Sequence, residues 1–168
     1  EPLNIDGDLG EMLSVEGDVS LKVGDVLAVD GTVRFGLSNQ LLSLADGTEA
    51  QVDVLQIGAS DVNATVKAGA ASDAVGVSLS GMAFDLVFAR EGEGLNRSWL
   101  TLQGTAASAT LLNGGDVSLS GSDLAVELNL ALNADQPVID WVDTGPLALG
   151  NTSFAMSTQR MAVAGTMS

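Results

Sequence analysis

The chain has 168 residues, enough for one domain, and its 46% hydrophobic content supplies a core, which excludes a disordered segment. Twenty-two acidic residues against six basic ones set the net charge at −16, so nucleic-acid phosphates and anionic membrane surfaces repel it. With no Cys and no His there is no disulfide framework, no thiolate or imidazole metal site, and no Ser–His or Cys–His nucleophilic machinery.

Taken in chain order, the first feature is Asn4-Ile5-Asp6-Gly7-Asp8-Leu9-Gly10-Glu11. Its oxygen ligands fall at alternating positions, as in calcium loops, which makes Asn4, Asp6 and Asp8 candidate calcium ligands. The loop misses the EF-hand pattern in the placing of its Gly and of the bidentate Glu, and the nonapeptide repeat of calcium-loaded β-rolls is absent. The plainer reading is a solvated acidic hairpin end. Strand-like alternation follows at Val19, Leu21, Val23 and at Val33, Phe35, Leu37. Residues 41–57 fit neither period cleanly and leave a short helix open. Alternation returns at Val75, Val77, Leu79 and at Phe84, Leu86, Phe88. It is longest at Leu124, Val126, Leu128, Leu130 and Leu132, with Ala125, Glu127, Asn129 and Ala131 between them, the pattern of a half-buried strand. Asp6-Gly7, Asp30-Gly31, Asp46-Gly47 and Asn113-Gly114-Gly115 read as hairpin turns, because these residues tolerate positive φ. No stretch approaches 18 consecutive apolar residues, so no membrane insertion is expected. The expected fold is all-β: antiparallel strands in an elongated sandwich or solenoid-like repeat module. Val, Leu and Ala dominate while aromatics are 4% and Tyr is absent, which suits thin, regular sheet layers.

Self-comparison shows two repeats. Val77-Ser78-Leu79-Ser80-Gly81 recurs as Val117-Ser118-Leu119-Ser120-Gly121. The terminal Met161-Ala162-Val163-Ala164-Gly165-Thr166-Met167-Ser168 matches Leu13-Ser14-Val15-Glu16-Gly17-Asp18-Val19-Ser20 in its apolar, small and Gly positions, and Gly145-Pro146-Leu147 resembles Glu1-Pro2-Leu3. The chain therefore divides into an N-terminal hairpin region (1–50), two related sub-units (about 52–92 and 97–135), and a re-entry into the next repeat (136–168). A slice through a tandem array with a period near 150 residues has this organisation.

The run Val52-Asp53-Val54-Leu55-Gln56-Ile57-Gly58-Ala59-Ser60-Asp61-Val62-Asn63-Ala64 resembles a phrase that recurs in giant bacterial tandem-repeat proteins of the LEPR-XLL type. So do Val75-Gly76-Val77-Ser78-Leu79-Ser80-Gly81 leading to Phe84-Asp85-Leu86, Arg97-Ser98-Trp99 with Leu100, Leu102 and Gly104, and the stretch from Val117-Ser118-Leu119 to Glu127-Leu128-Asn129. The resemblance covers most of residues 12–168 in order. It implies a secreted or surface-anchored, adhesin-like protein whose repeat has no assigned enzymatic activity, so no catalytic residue is carried over. The chain departs from the pattern in its short Glu91-Gly92-Glu93-Gly94 segment and in lacking an Asp/Gly-rich insert near residues 134–138, which weakens calcium binding by those loops.

The remaining chemistry is thin. Lys22 and Lys67 lack Ser-x-x-Lys spacing, and no glycine loop ends in Gly-Lys-Ser/Thr. Paired carboxylates for glycoside hydrolysis would need aromatic sugar platforms, and only Trp99, Trp141 and four Phe exist. The two Trp are expected to cap the hydrophobic layer, with Arg97 stacked on Trp99 or paired with a carboxylate. Asn63, Asn96 and Asn151 begin Asn-x-Ser/Thr triplets, read as ordinary strand and turn sequence. The expected function is a non-enzymatic structural repeat of a large secreted bacterial surface protein. It would have no catalytic residues and no cofactor beyond the calcium candidate. Its partners would be itself, neighbouring repeats, or cell-surface or matrix glycans. A second reading makes it the subunit of a self-assembling extracellular filament or sheath.

Overall fold

The computed structural model describes residues 12–23, 27–68, 74–92, 96–113, 120–147 and 153–167. They form β1 (Met12–Val23), β2 (Leu27–Ser43), β3 (Glu49–Ala68), β4 (Val75–Glu91), β5 (Ser98–Leu112), β6 (Ser120–Ala131), α1 (Trp141–Thr144) and β7 (Arg160–Met167). The seven strands make one open antiparallel sheet whose order, β1 to β7, is the order of the chain. The protein is all-β, as its alternation predicts. Strands of up to 20 residues reach about 65 Å at 3.3 Å per residue, so the sheet is elongated. The span 52–92 holds the β3–β4 hairpin apart from the first residues of β3, and the span 97–135 holds the β5–β6 hairpin.

Residues 41–57 contain no helix: they are the end of β2, a turn at Ala45-Asp46-Gly47, and the start of β3. The N–H of Gly47 donates to the Leu44 carbonyl (2.9 Å) and that of Leu44 to the Thr48 carbonyl (2.8 Å), with Gly47 at φ +80°. Asp46 Oδ1 accepts from the Thr48 hydroxyl (2.6 Å) and amide (3.0 Å), and these bonds hold its carboxyl below the usual carboxylate range.

Asp30-Gly31, expected as a hairpin turn, lies inside β2, and its turn chemistry serves a bulge instead. The register between β2 and β3 shifts between Asp30 and Thr32. At the same level Asp61, Gly81, Ala107 and Asp123 are left out of the pairing on both sides of their strands, so a seam of irregularity crosses the sheet from β3 to β6. Asp61, Gly81 and Asp123 sit there with φ between 52° and 57°. Each extra residue restores the alternation beyond it, so aliphatic side chains stay on one face along the whole strand. A Cβ on Gly31 would come within 2.7 Å of the Val62 backbone. Gly31→Val is expected to cost about 1–3 kcal/mol through this collision, measured as a fall in the urea midpoint.

The two faces differ in chemistry. On the covered face, the end of the sheet near the β2–β3 turn carries Leu42, Ala50, Val52, Val54, Val87, Ala89 and Trp99. Residues 137–147 and 153–158 lie over it and add Ile139, Trp141, Leu147, Phe154 and Met156 to the core. This crossing segment is bound to the end of β2: Ala45 N–H donates to Val138 O (2.9 Å), Asp140 N–H to Ser43 O (2.9 Å), and Ser43 N–H to Thr144 Oγ1 (3.0 Å). Further along the same face lie charged pairs, then Ser and Thr joined across strands, Thr65 to Ser78 (3.2 Å) and Ser80 to Ser108 (2.7 Å). The opposite face is open and apolar.

Candidate functional site

Asn4, Asp6 and Asp8 lie outside the described residues, as does Asn151. Among the described residues no group of three or more acidic side chains converges as a metal site. Asp18, Asp30 and Asp61 do line one shallow depression beside Gly31 and Thr32, where the Thr32 hydroxyl donates to Asp18 Oδ1 (2.8 Å). Asn63 is part of the bulge seam, its Oδ1 accepting from the Gly81 amide (3.2 Å). Asn96 is exposed, in left-handed backbone.

Both indoles are interior, Trp99 at 0% and Trp141 at 1% exposure, so neither offers a sugar-stacking platform. Trp99 Nε1 donates to the Pro137 carbonyl (2.8 Å), which ties β5 to the crossing segment. Arg97 does both things expected of it: its guanidinium lies 5.5 Å from the Trp99 ring centre and pairs with both Glu91 oxygens (3.0 and 2.9 Å). The Glu91 hydrogen bonds raise the Arg97 pKa above its ordinary value.

Sequence reasoning missed the polar chain beneath the crossing segment. Trp141 Nε1 donates to Thr101 Oγ1 (3.0 Å), which donates to Asn129 Oδ1 (3.0 Å). Asn129 Nδ2 then donates to the carbonyls of Ile139 (2.9 Å) and Thr158 (3.1 Å). Thr101 and Asn129 are both fully buried, and every donor in this chain has an acceptor. The network fixes both ends of the segment that delivers the chain to β7. The only sequence signal for it was a polar Asn in an alternating strand, a position ordinarily read as facing solvent.

A charged row crosses the same face. Arg34 on β2 reaches Glu16 on β1 (3.6 Å) and Asp85 on β4 (3.5 Å). It passes over β3 at Gly58, where a Cβ would lie 2.7 Å from Arg34 Nη2 and 2.9 Å from Asp85 Oδ1. Arg160 on β7 pairs with Glu127 on β6. These links span strands and brace the covered face.

The edges are the remaining candidate. Among the described residues, each of β1 and β7 is hydrogen-bonded on one side only. Residues 13–22 of β1 are exposed throughout, and neither β1 nor β7 contains a proline. The two matched sequence motifs, 13–20 and 161–168, fall on these two edge strands. They run in the same direction, because an odd number of strands separates β1 from β7 in an antiparallel sheet. Their apolar positions also share a face: Val15 leads through Phe35, Ile57, Leu86, Leu102 and Leu128 to Met161. No family model, curated protein or solved structure matches the chain.

Proposed function

We propose that the chain is a non-enzymatic structural module of a large secreted, adhesin-like bacterial surface protein, in which successive units continue one antiparallel sheet. The observation that carries this reading is the coincidence of the repeated motif with the two unprotected edge strands, in the same direction and on the same face. A long edge strand without proline is a template for another strand, and isolated proteins avoid leaving one open. If β7 is the β1 of the next unit, each unit contributes six strands, an even number, so the meander continues without a parallel pair.

The same edges favour a second reading, a subunit of an extracellular filament, and strand direction separates the two. An unlinked copy stacked in the same orientation would set its β1 parallel to β7, whereas a covalent tandem always supplies an antiparallel neighbour. In a two-unit chain, residues 1–160 followed by residues 13–168, the outward amides of the first unit's β7 equivalent are expected to exchange about 100-fold or more slowly than in the single chain. Equal protection in the single chain, with growth into fibres, would favour the filament. Unprotected amides in both chains would remove the edge from either role.

A further inference from the structure

The open face is apolar along every row that crosses it. The first row is Leu13, Leu37, Leu55, Phe88, Leu100 and Leu130. The second is the Val15 to Met161 row described above, and the third is Gly17, Val33, Ala59, Phe84, Gly104, Val126 and Val163. Beyond the seam come Val62, Met82, Ala106 and Leu124, then Ala64, Leu79, Ala109, Gly121 and Met167, then Val66, Val77 and Leu111. None of these side chains is charged or forms hydrogen bonds. Phe35 is 48% exposed, Val15 59%, Met161 75% and Val163 80%. At 4.8 Å between strands and 3.3 Å per residue the face measures about 1,200 Å². A typical monomer tolerates an apolar patch of about 300–600 Å², and a stable dimer needs about 800 Å² from each partner.

We infer that a second copy of this sheet packs face to face on the open face, making a two-layered β-sandwich between copies. Its area exceeds what a stable dimer requires, and its relief suits a sheet partner. Gly104 floors an apolar depression of about 480 Å³ walled by Leu86, Leu102, Val126 and Val163, a hole into which aliphatic side chains of an identical sheet can interdigitate at about 10 Å sheet spacing. A lipid bilayer fits less well. Both Trp are interior rather than in an interfacial girdle. This inference stands on the face alone and does not need the edge-to-edge continuation proposed above.

The test is sedimentation equilibrium of the full 168-residue chain beside Phe35→Glu/Leu102→Glu and, on the opposite face, Ser122→Glu. The wild type and Ser122→Glu are expected to be dimers at micromolar concentration, tightening as salt screens the net charge of −16. Phe35→Glu/Leu102→Glu is expected to weaken association at least about 100-fold while keeping the β-sheet circular dichroism. Nitroxide labels give a readout that needs no disruption, because the chain has no cysteine of its own. Labels at Leu102→Cys should lie closer across the dimer than labels at Ser122→Cys. Association that survives the Glu pair is edge-borne; it overturns the face inference and leaves the scaffold reading intact. A monomeric wild type also overturns it, and one that floats with phosphatidylcholine vesicles identifies lipid as the cover.

Discussion

Trp141→Ala is expected to lower the unfolding free energy by about 3–5 kcal/mol, the largest single effect in the molecule. The indole is 1% exposed and packs on Phe154 with ring centres 4.7 Å apart, so truncation leaves a cavity bounded by a sheet that cannot collapse into it. It also removes the donor to Thr101, although Thr101 keeps its bond to Asn129. Hydrogen bonds to β2, β5 and β6 are the crossing segment's other anchors. Its short helix is held by Asp140, whose carboxylate accepts from the amides of Val142 (3.0 Å) and Asp143 (3.2 Å), and by the Trp141 amide donating to Met156 O (3.0 Å). Trp141→Phe keeps most of the packing and loses the indole hydrogen bond, so it should cost about 1–2 kcal/mol less than the alanine variant. Urea titrations decide the point. A loss below about 1 kcal/mol for Trp141→Ala would mean that the crossing segment is marginal to stability.

What could be read in the sequence, and what could not, divides along physical lines. Alternation shows which residues share a face, and it placed Leu124, Val126, Leu128 and Leu130 together correctly. It does not show which face another layer covers. The covering layer here is the segment around Ile139, Trp141, Leu147, Phe154 and Met156, whose apolar residues come in pairs too short to establish a period. The aliphatic face of β6 is therefore the one left open, its leucines half-buried by their neighbours in the sheet, while Asn129 on the other face is fully buried. Turn chemistry was similarly half-informative. Asp46-Gly47 makes the β2–β3 turn, whereas Asp30-Gly31 supplies permissive backbone within a strand, and a local dipeptide signal cannot separate the two. Residues 41–57 were ambiguous because a turn interrupts two strands before either period is established. The seam was unreadable for a different reason: it is a property of neighbouring strands aligned in space.

Asn129 offers a second large effect and a direct reading of how β7 is held in place. Asn129→Ala strips the acceptor from Thr101 and the donor from the buried Ile139 carbonyl and from the Thr158 carbonyl, and should cost about 2–4 kcal/mol. Asn129→Asp keeps the shape and one acceptor but replaces the amide donors with oxygens facing Ile139 O and Thr158 O. Burial and these carbonyls favour the protonated acid, so the folded-state pKa of the new carboxyl should rise above the unfolded value of about 3.9. The sign follows from linkage. Below the unfolded pKa the acid is neutral in both states and can still donate one bond; as pH rises, the unfolded chain ionises first and stability falls until the folded-state pKa is passed. Asn129→Asp should thus approach the wild type near pH 3 and fall below Asn129→Ala at pH 7. A pH-independent gap between the two variants would show that the site admits water and that the donors matter little. Because Asn129 holds the carbonyl of Thr158 just ahead of Arg160, the first residue of β7, both variants should also speed amide exchange in β7 before the rest of the sheet. The edge strand that matches β1 is thus positioned by a buried side-chain amide as well as by its pairing with β6.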